Sequence, residues 1–312
     1  MTAVLVTGAN GFVGAAVLQR LALTNGFSPR AAVRNAVHAQ QVSIDLAAPG
    51  NWQQALQGLQ CVVHCAARVH VMNDSSSDPL TAFRKINVEG TLSLARQAAA
   101  AGVKRFIFLS SVKVNGEQTL LGQPYSADAT PAPLDAYGVS KLEAEQALRG
   151  LGAETGMEMV IIRPVLVYGP GVGANFHSMM SWLAKGIPLP LGAIHNLRSL
   201  VAVDNLVDLI VTCIEHPAAA NQTFLVSDDE DVSTSQLLRR LAAALGKPVR
   251  LLPLPAWLLA TVATLLGKRA VAQRLCGSLQ VDISKTKAVL GWAPPVTLDL
   301  ALQRTATHFL EQ

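Results

Sequence analysis

Val4-Leu5-Val6-Thr7-Gly8-Ala9-Asn10-Gly11-Phe12-Val13-Gly14 decides how this chain folds. A short apolar run enters three glycines spaced GxxGxxG and passes into a helical pattern. That is the order of a strand, a phosphate-binding turn and a helix. Gly8 can take the tight turn. Gly11 leaves the backbone open to a pyrophosphate, and Gly14 lets the helix lie close to the strand. The helix start then offers unpaired N–H groups and a positive dipole end to phosphate. A plain turn satisfies the same letters, so the weight rests on the strand-like run directly before them.

Outward from that unit, strand-like runs alternate with helical patterns. Ala3–Thr7 precedes a helix over Phe12–Leu23, and Ala31–Arg34 and Val42–Ile44 read as the next strands. Asn51–Leu56 reads as a short helix, Cys61–Cys65 as a strand, and Leu80–Ala101 as one long helix ended by Gly102. Arg105–Leu109, a helix over Tyr137–Arg149, and Met159–Arg163 follow. This alternation predicts an α/β protein with a Rossmann-type, doubly wound parallel sheet. After Arg163 come a glycine-rich loop, a helix over His177–Lys185, an extended stretch Ile187–Gly192 and a strand Ser199–Val203. Asp204 then caps a helix running to Glu215, and Thr223–Val226 is one more strand of the main sheet. We expect a dinucleotide-binding domain from 1–165 plus about 199–226, and a smaller, discontinuous α/β substrate lobe from about 166–198 plus 227–312.

Composition narrows the function. Half of the 312 residues are hydrophobic and 15% are charged, against a usual share of about 25%. A large core, or apolar surface that meets a partner, must account for this. The net charge of +4 forms no basic block with interleaved aromatics, so we expect no nucleic-acid binding. Cys61 and Cys65 lie in a buried-strand pattern without structural-zinc spacing, and we expect no metal. No basic-then-apolar leader precedes the first strand, and free cysteines suit a reducing compartment. The expected location is cytoplasmic. Ala256–Leu266 is almost wholly apolar, follows Pro253 and Pro255, and is closed by Gly267-Lys268-Arg269. It is too short to span a bilayer and reads as a buried or interface helix, with a membrane-surface helix as the alternative.

Tyr137-Gly138-Val139-Ser140-Lys141 carries the chemistry. Tyr137 and Lys141 share one helix face. A lysine cation near a phenol favours the phenolate, which would make Tyr137 a general acid/base near neutral pH. Ser110-Ser111 end the strand Arg105–Leu109, on the edge where open α/β sheets bind ligands.

These residues resemble the extended short-chain dehydrogenase/reductase family, above all its nucleotide-sugar epimerases and reductases. The likeness spans nearly the whole chain: Thr7–Gly14, Asp45-Leu46, His64-Cys65-Ala66-Ala67, Asn87-Val88-Glu89-Gly90-Thr91, Ser110–Gly116, Tyr137–Lys141, Arg163–Pro170, and Ser284-Lys285 through Leu290-Gly291-Trp292. The resemblance implies that Tyr137 transfers the proton. Lys141 would hold the nicotinamide ribose and tune Tyr137, and Ser111 rather than Ser110 would hold the reacting oxygen. Gly8, Asn10, Gly11, Phe12, Val13 and Gly14 would form the cofactor turn. Asp45 would face the adenine, with Leu46 packed on it. Cys65, Ala66, Ala67 and Pro164 carry over as further cofactor contacts, and Asn87 as a support of the site's backbone. Asn175 and Arg198, with Arg274 as a weaker match, would contact a nucleotide diphosphate, a task that suits paired guanidinium donors.

Two positions depart from the family pattern. Arg34 stands about 20 residues past the last glycine, where an acidic residue would grip the ribose of NAD. An arginine can meet a 2′-phosphate, which tilts the expected cofactor, NAD(P)(H), toward NADP(H). Ser-Val-Lys-Val-Asn-Gly-Glu, from Ser111, resembles bacterial enzymes of O-antigen and polysaccharide sugar synthesis, and we expect Lys113 to point toward the substrate. The leading expectation is an NAD(P)-dependent oxidoreductase that acts on the 4-position of a UDP-sugar by reducing a UDP-4-keto-6-deoxy-N-acetylhexosamine. A UDP-hexose or UDP-N-acetylhexosamine 4-epimerase with tightly held NAD is the alternative, and a non-catalytic cofactor-binding protein a remote one. By resemblance the chain forms a homodimer through Leu80–Ala101 and Tyr137–Arg149. Ala98, Ala99 and Ala144 would allow close approach, or equally pack on the sheet. Docking of Ala256–Leu266 on a membrane glycosyltransferase is a further possible contact.

Overall fold

The structure, a computed structural model, describes residues 1–37, 41–48, 50–69, 78–265, 267 and 269–312, without the side chains of 174, 175, 269 and 270. The strands are β1 (Thr2–Thr7), β2 (Phe27–Val33), β3 (Gln41–Ser43), β4 (Cys61–His64), β5 (Arg105–Leu109), β6 (Glu158–Pro164), β7 (Leu166–Tyr168), β8 (Arg198–Ala202), β9 (Thr223–Val226) and β10 (Asp231–Val232). Among them, β3-β2-β1-β4-β5-β6-β9 form a parallel sheet in that order. The order reverses between β1 and β4, the switch point at which such sheets open a crevice at their carboxyl ends.

The helices are α1 (Phe12–Leu23), α2 (Gln53–Leu56), α3 (Pro79–Arg84), α4 (Thr91–Ala100), α5 (Ala136–Thr155), α6 (Ala174–Ala184), α7 (Val203–Glu215), α8 (Thr234–Ala244), α9 (Ala256–Leu265), α10 (Arg269–Cys276), α11 (Ser284–Leu290) and α12 (Leu298–Leu310). Strand alternation explains how they cover both faces of the sheet. Val4, Val6, Ile107 and Ile162 join Val17 and Leu21 of α1 and Leu206 and Ile210 of α7 in one core. Leu5, Phe106, Phe108 and Met159 point the other way, into Leu94 of α4 and Leu148 of α5. The doubly wound sheet expected from the alternation is the observed fold.

Several expectations shift. The helix read over Leu80–Ala101 is α3 and α4 joined by a π-helical turn over Lys85–Gly90, which inserts a wider loop of backbone into one continuous rod. The tyrosine helix runs past Arg149 to Thr155 and ends at Gly156 in the left-handed conformation. Arg198–Ala202 does not join the main sheet. It lies between β7 and β10 in a separate sheet, parallel to β7 and antiparallel to β10, so the boundary drawn near 199 cuts through this small sheet. Asp204 is not the cap of α7: Ala202 occupies that position, and Asp204 in the first turn pairs with Arg304. Ala98 and Ala144 are fully buried against the chain's own sheet, which removes them from any partner face. Leu266 and Lys268, in the apolar segment and its closing turn, lie outside the described residues.

Candidate active site

The glycine turn closes as the spacing demands. Gly8 adopts φ +65°, and a Cβ there would lie 2.9 Å from the Ala66 nitrogen after β4. A Cβ on Gly14 would lie 2.2 Å from the Gly8 oxygen, so only glycine lets α1 start this close to β1. Gly11 caps α1 without a side-chain bond to the first turn, which leaves the helix start to a ligand. Asn10, Phe12 and Val13 lie in or beside this turn. The turn is a cradle that added carbon would fill, and it fits a dinucleotide pyrophosphate.

A buried hydrogen-bond relay fixes the turn. His64, at the end of β4, shares a bond of 2.7 Å with Thr7 Oγ1 and one of 2.9 Å with Thr91 Oγ1 at the start of α4. Thr7 Oγ1 also accepts from the Ala66 nitrogen. Burial, with the Lys141 charge second, pushes the imidazole down to about 3, so His64 is a neutral strut. His64 lies in the His64-Cys65-Ala66-Ala67 motif, whose letters alone assign it no task. Its place at a strand end between two threonines is the available signal.

The other expected cofactor residues line the same edge. Arg34 is exposed just past β2. Asp45 Oδ1 accepts from the Ala47 nitrogen, and Leu46 is buried. Cys65, Ala66 and Ala67 follow β4, and Pro164 ends β6. Asn87 sits on the π turn, exchanges bonds of 2.8 and 3.1 Å with the Arg68 backbone, and donates to Ser140 Oγ at 3.0 Å. It ties the segment after β4 to the tyrosine helix.

Ser111 follows the end of β5, and Tyr137 and Lys141 lie in the first turns of α5. Ser111 Oγ accepts from the Lys113 nitrogen and caps a 3-10 turn over Val112–Val114. Asp135 caps α5, placing Tyr137 in its first turn. A Cβ on Gly138 would lie 2.8 Å from the Lys113 oxygen, so this glycine lets α5 dock on the Ser111 turn. Lys141 Nζ donates to the Leu109 oxygen at 2.7 Å and lies 4.2 Å from the centre of the Phe108 ring. Burial lowers its pKa to about 7, despite Glu145 and Cys65 nearby. The expectation of an acidic phenol is not met by the protein alone. Burial, then the Asp135 charge, pushes Tyr137 up to about 12, since desolvation disfavours the phenolate.

The two serines have different partners. Ser110 Oγ donates to Glu145 Oε1 at 2.5 Å and is consumed inside the protein. Glu145 is bound by Arg163 through Nε (2.9 Å) and Nη2 (2.6 Å), and Arg163 Nη1 reaches Asn115 Oδ1 at 3.2 Å. Both charged side chains are almost wholly buried. This network behind the site went unread: Glu145 stands one turn beyond Lys141, and a charge at that spacing reads as solvated.

Lys113 does not project freely toward a substrate. Its ammonium pairs with Asp135 and, at 3.4 Å, with Glu117, since two carboxylates flank the turn that carries it. Arg198 and Arg274 come together: Arg198 Nη1 donates to the Arg274 and Gly277 oxygens, each at 3.0 Å, while Arg274 is exposed on α10. Beside them lies a cavity of about 510 Å³ walled by Leu121, Ile194, Pro255, Trp257 and Cys276. Asn175 is in the first turn of α6, and its side chain lies outside the described residues.

Residues 4–227 match the NAD dependent epimerase/dehydratase family. The chain belongs to that family. It is 51% identical over 313 residues to a UDP-glucose 4-epimerase of Vibrio cholerae, covering 99% of this chain and 95% of that one. It is 29% identical to the N-acetyl-alpha-D-glucosaminyl-diphospho-ditrans,octacis-undecaprenol 4-epimerase of Escherichia coli O157:H7, over 98% of this chain and 94% of the relative. The crystal structure of UDP-glucuronic acid 4-epimerase from Bacillus cereus with NAD superposes with a TM-score of 0.80 at 21% identity, covering 99% and 97% of the two chains. The chain is thus an extended short-chain dehydrogenase/reductase and an NAD(P)-dependent enzyme of the nucleotide-sugar epimerase and reductase group. The expectation of a reductase loses ground to its alternative, the epimerase.

Proposed function

We propose that this protein is a 4-epimerase of a UDP-hexose or UDP-N-acetylhexosamine. The observation that carries the reading is the 51% identity, over nearly both full lengths, to the UDP-glucose 4-epimerase. Tyr137 takes the proton of the sugar 4-hydroxyl and returns it after the keto sugar has turned its other face. Ser111 holds the reacting oxygen, its hydroxyl free of the Glu145 network that engages Ser110. Lys141, fixed on the Leu109 oxygen, supplies positive charge beside the site and holds the cofactor ribose. NAD(P), held by the Gly8–Gly14 turn and Lys141, would supply hydride exchange at C4 and, when oxidised, a positive charge that favours the Tyr137 phenolate. Arg34 tilts the dinucleotide site toward a 2′-phosphate. Arg198 and Arg274 hold the diphosphate. The partner in solution is a second copy, through the outer faces of α3, α4 and α5, where Arg84 and Glu143 pair.

The test mixes the purified protein with UDP-glucose or UDP-N-acetylglucosamine and no added cofactor. Appearance of the 4-epimer without net change in reduced nicotinamide is the expected result. Stoichiometric loss of NADPH with a UDP-4-keto-6-deoxy-N-acetylhexosamine, and no epimerisation, would return the reductase reading.

One observation favours a second reading, in which a polyprenyl lipid carries the sugar diphosphate in place of uridine. The cavity beside Arg198 is walled mainly by apolar groups, and the Asn196 amide that reaches it is engaged internally by Thr234 and Gly277. Turnover of a short-chain prenyl-diphosphate sugar in preference to the UDP-sugar would establish it.

A further inference from the structure

α9 is apolar around its whole circumference, yet no residue of it is buried. Ala256 and Leu259 face the second lobe's core. The opposite side presents Trp257 (69% exposed), Val262 (46%) and Leu265 (82%). The two threonines do not make this side polar: Thr261 Oγ1 donates to the Trp257 oxygen and Thr264 Oγ1 to the Ala260 oxygen. Their donor hydrogens are spent on the helix itself. At ten residues the helix is about 15 Å long, half of what a bilayer core requires. No helix among the described residues is long and apolar enough to cross a membrane.

Charge separates the candidate occupants. From Val232 to Val281 the sequence has no Asp or Glu and has seven basic residues: Arg239, Arg240, Lys247, Arg250, Lys268, Arg269 and Arg274. The whole chain is net +4, so this stretch of +7 stands against an acidic remainder. Lys247 and Arg250 are exposed and make no ion pair among the described residues. The seven basic residues flank α9 in the chain on both sides. A second copy docked by the same face would set basic side chains against basic side chains around a two-fold axis. An anionic lipid surface satisfies both features. It takes up the apolar stripe at the acyl boundary, with Trp257 at headgroup level, and its phosphates meet the flanking basic residues.

We propose that α9, with its flanking basic residues, is a docking surface for an anionic phospholipid bilayer, on which the helix lies flat. The docking is independent of which carrier bears the sugar, so failure of the epimerase reading would leave it standing, and the reverse.

The test floats the full-length protein with vesicles of phosphatidylcholine alone or of phosphatidylcholine and phosphatidylglycerol in equal parts. Co-flotation with the anionic vesicles, weakened by added salt, with a blue shift of tryptophan fluorescence that disappears in Trp257→Phe, is the expected result. Val262→Asp and Leu265→Asp should each lower vesicle affinity at least tenfold while leaving turnover of soluble substrate unchanged. Lys247→Gln and Arg250→Gln should each cost about fivefold. The proposal is overturned if the protein stays at the bottom of the gradient with anionic vesicles. It is also overturned if both aspartate variants float as the parent does, or if Leu265→Asp instead dissolves an oligomer of the free protein.

Discussion

Glu145 and Arg163 are charged and almost wholly buried, whereas Trp257 and Leu265 are apolar and largely exposed. The catalytic edge of the parallel sheet thus holds charge where burial is costly, and α9 holds apolar surface where water is the neighbour. At the sheet edge these two burials are compensated locally: the carboxylate has three hydrogen bonds, from Ser110 and Arg163, and His64 has a threonine on each nitrogen. On α9 nothing within the described chain compensates the exposure. The first region is a self-sufficient scaffold, and the second is half of an interface.

Substitutions can break this contrast. The largest effect is expected at the chemistry itself: Tyr137→Phe should lower kcat by about 10³-fold or more, with the thermal midpoint nearly unchanged. Steady-state kinetics beside a melting curve checks both. Arg163→Met comes next. It strands the Glu145 carboxylate in the interior and should remove about 3–5 kcal/mol of stability, measured by urea unfolding. Retention of parental stability would mean that water reaches this pair.

Lys141 gives a smaller, pH-dependent effect. Burial depresses its pKa from 10.5 to about 7, so between those values the unfolded chain binds one more proton than the folded protein. Stability should therefore rise with pH from about 7 to 9, by up to about 1.4 kcal/mol per unit, as the cost of the buried ammonium fades. In Lys141→Met the urea midpoint should lose that slope, and an unchanged slope would assign it to other groups. The smallest effect is expected on α9, where Val262→Asp should change stability by no more than about 0.5 kcal/mol. A large loss there would show that the Val262 side of the helix also packs on something within the chain.

The parts of the fold legible in the sequence are those that local chemistry alone specifies. Phe12–Leu23, Arg105–Leu109 and Thr223–Val226 fall where apolar period and glycine punctuation place them. The placement of Ser111 after a strand end, and of Tyr137 and Lys141 at a helix start, is legible because local pattern sets each. What escaped depends on partners distant in the chain. Arg198–Ala202 has the pattern of any strand, and only pairing with β7 and β10 assigns its sheet. Gly150 and Gly152 weaken the signal of α5, yet a Cβ on Gly152 would lie 2.8 Å from the Met159 side chain, a closeness no periodicity reveals. The elevated pKa of Tyr137 is a property of the pocket's dryness, which spacing to Lys141 does not encode.

The π turn over Lys85–Gly90 also sets a limit on the chain's history. A π turn carries one residue more than the α-helix it interrupts. Deleting a single residue there would restore ordinary helical hydrogen bonding and remove the wide turn that carries Asn87. Asn87 would swing away from Arg68 and Ser140, and Gly90 would leave its contact with Leu46, where a Cβ would now sit 2.3 Å from the carbonyl oxygen. The segment is therefore intolerant of changes in length even where it tolerates changes in letter. An alignment gap placed between 85 and 90 in any homologue would mark a protein whose cofactor edge and tyrosine helix are joined in another way.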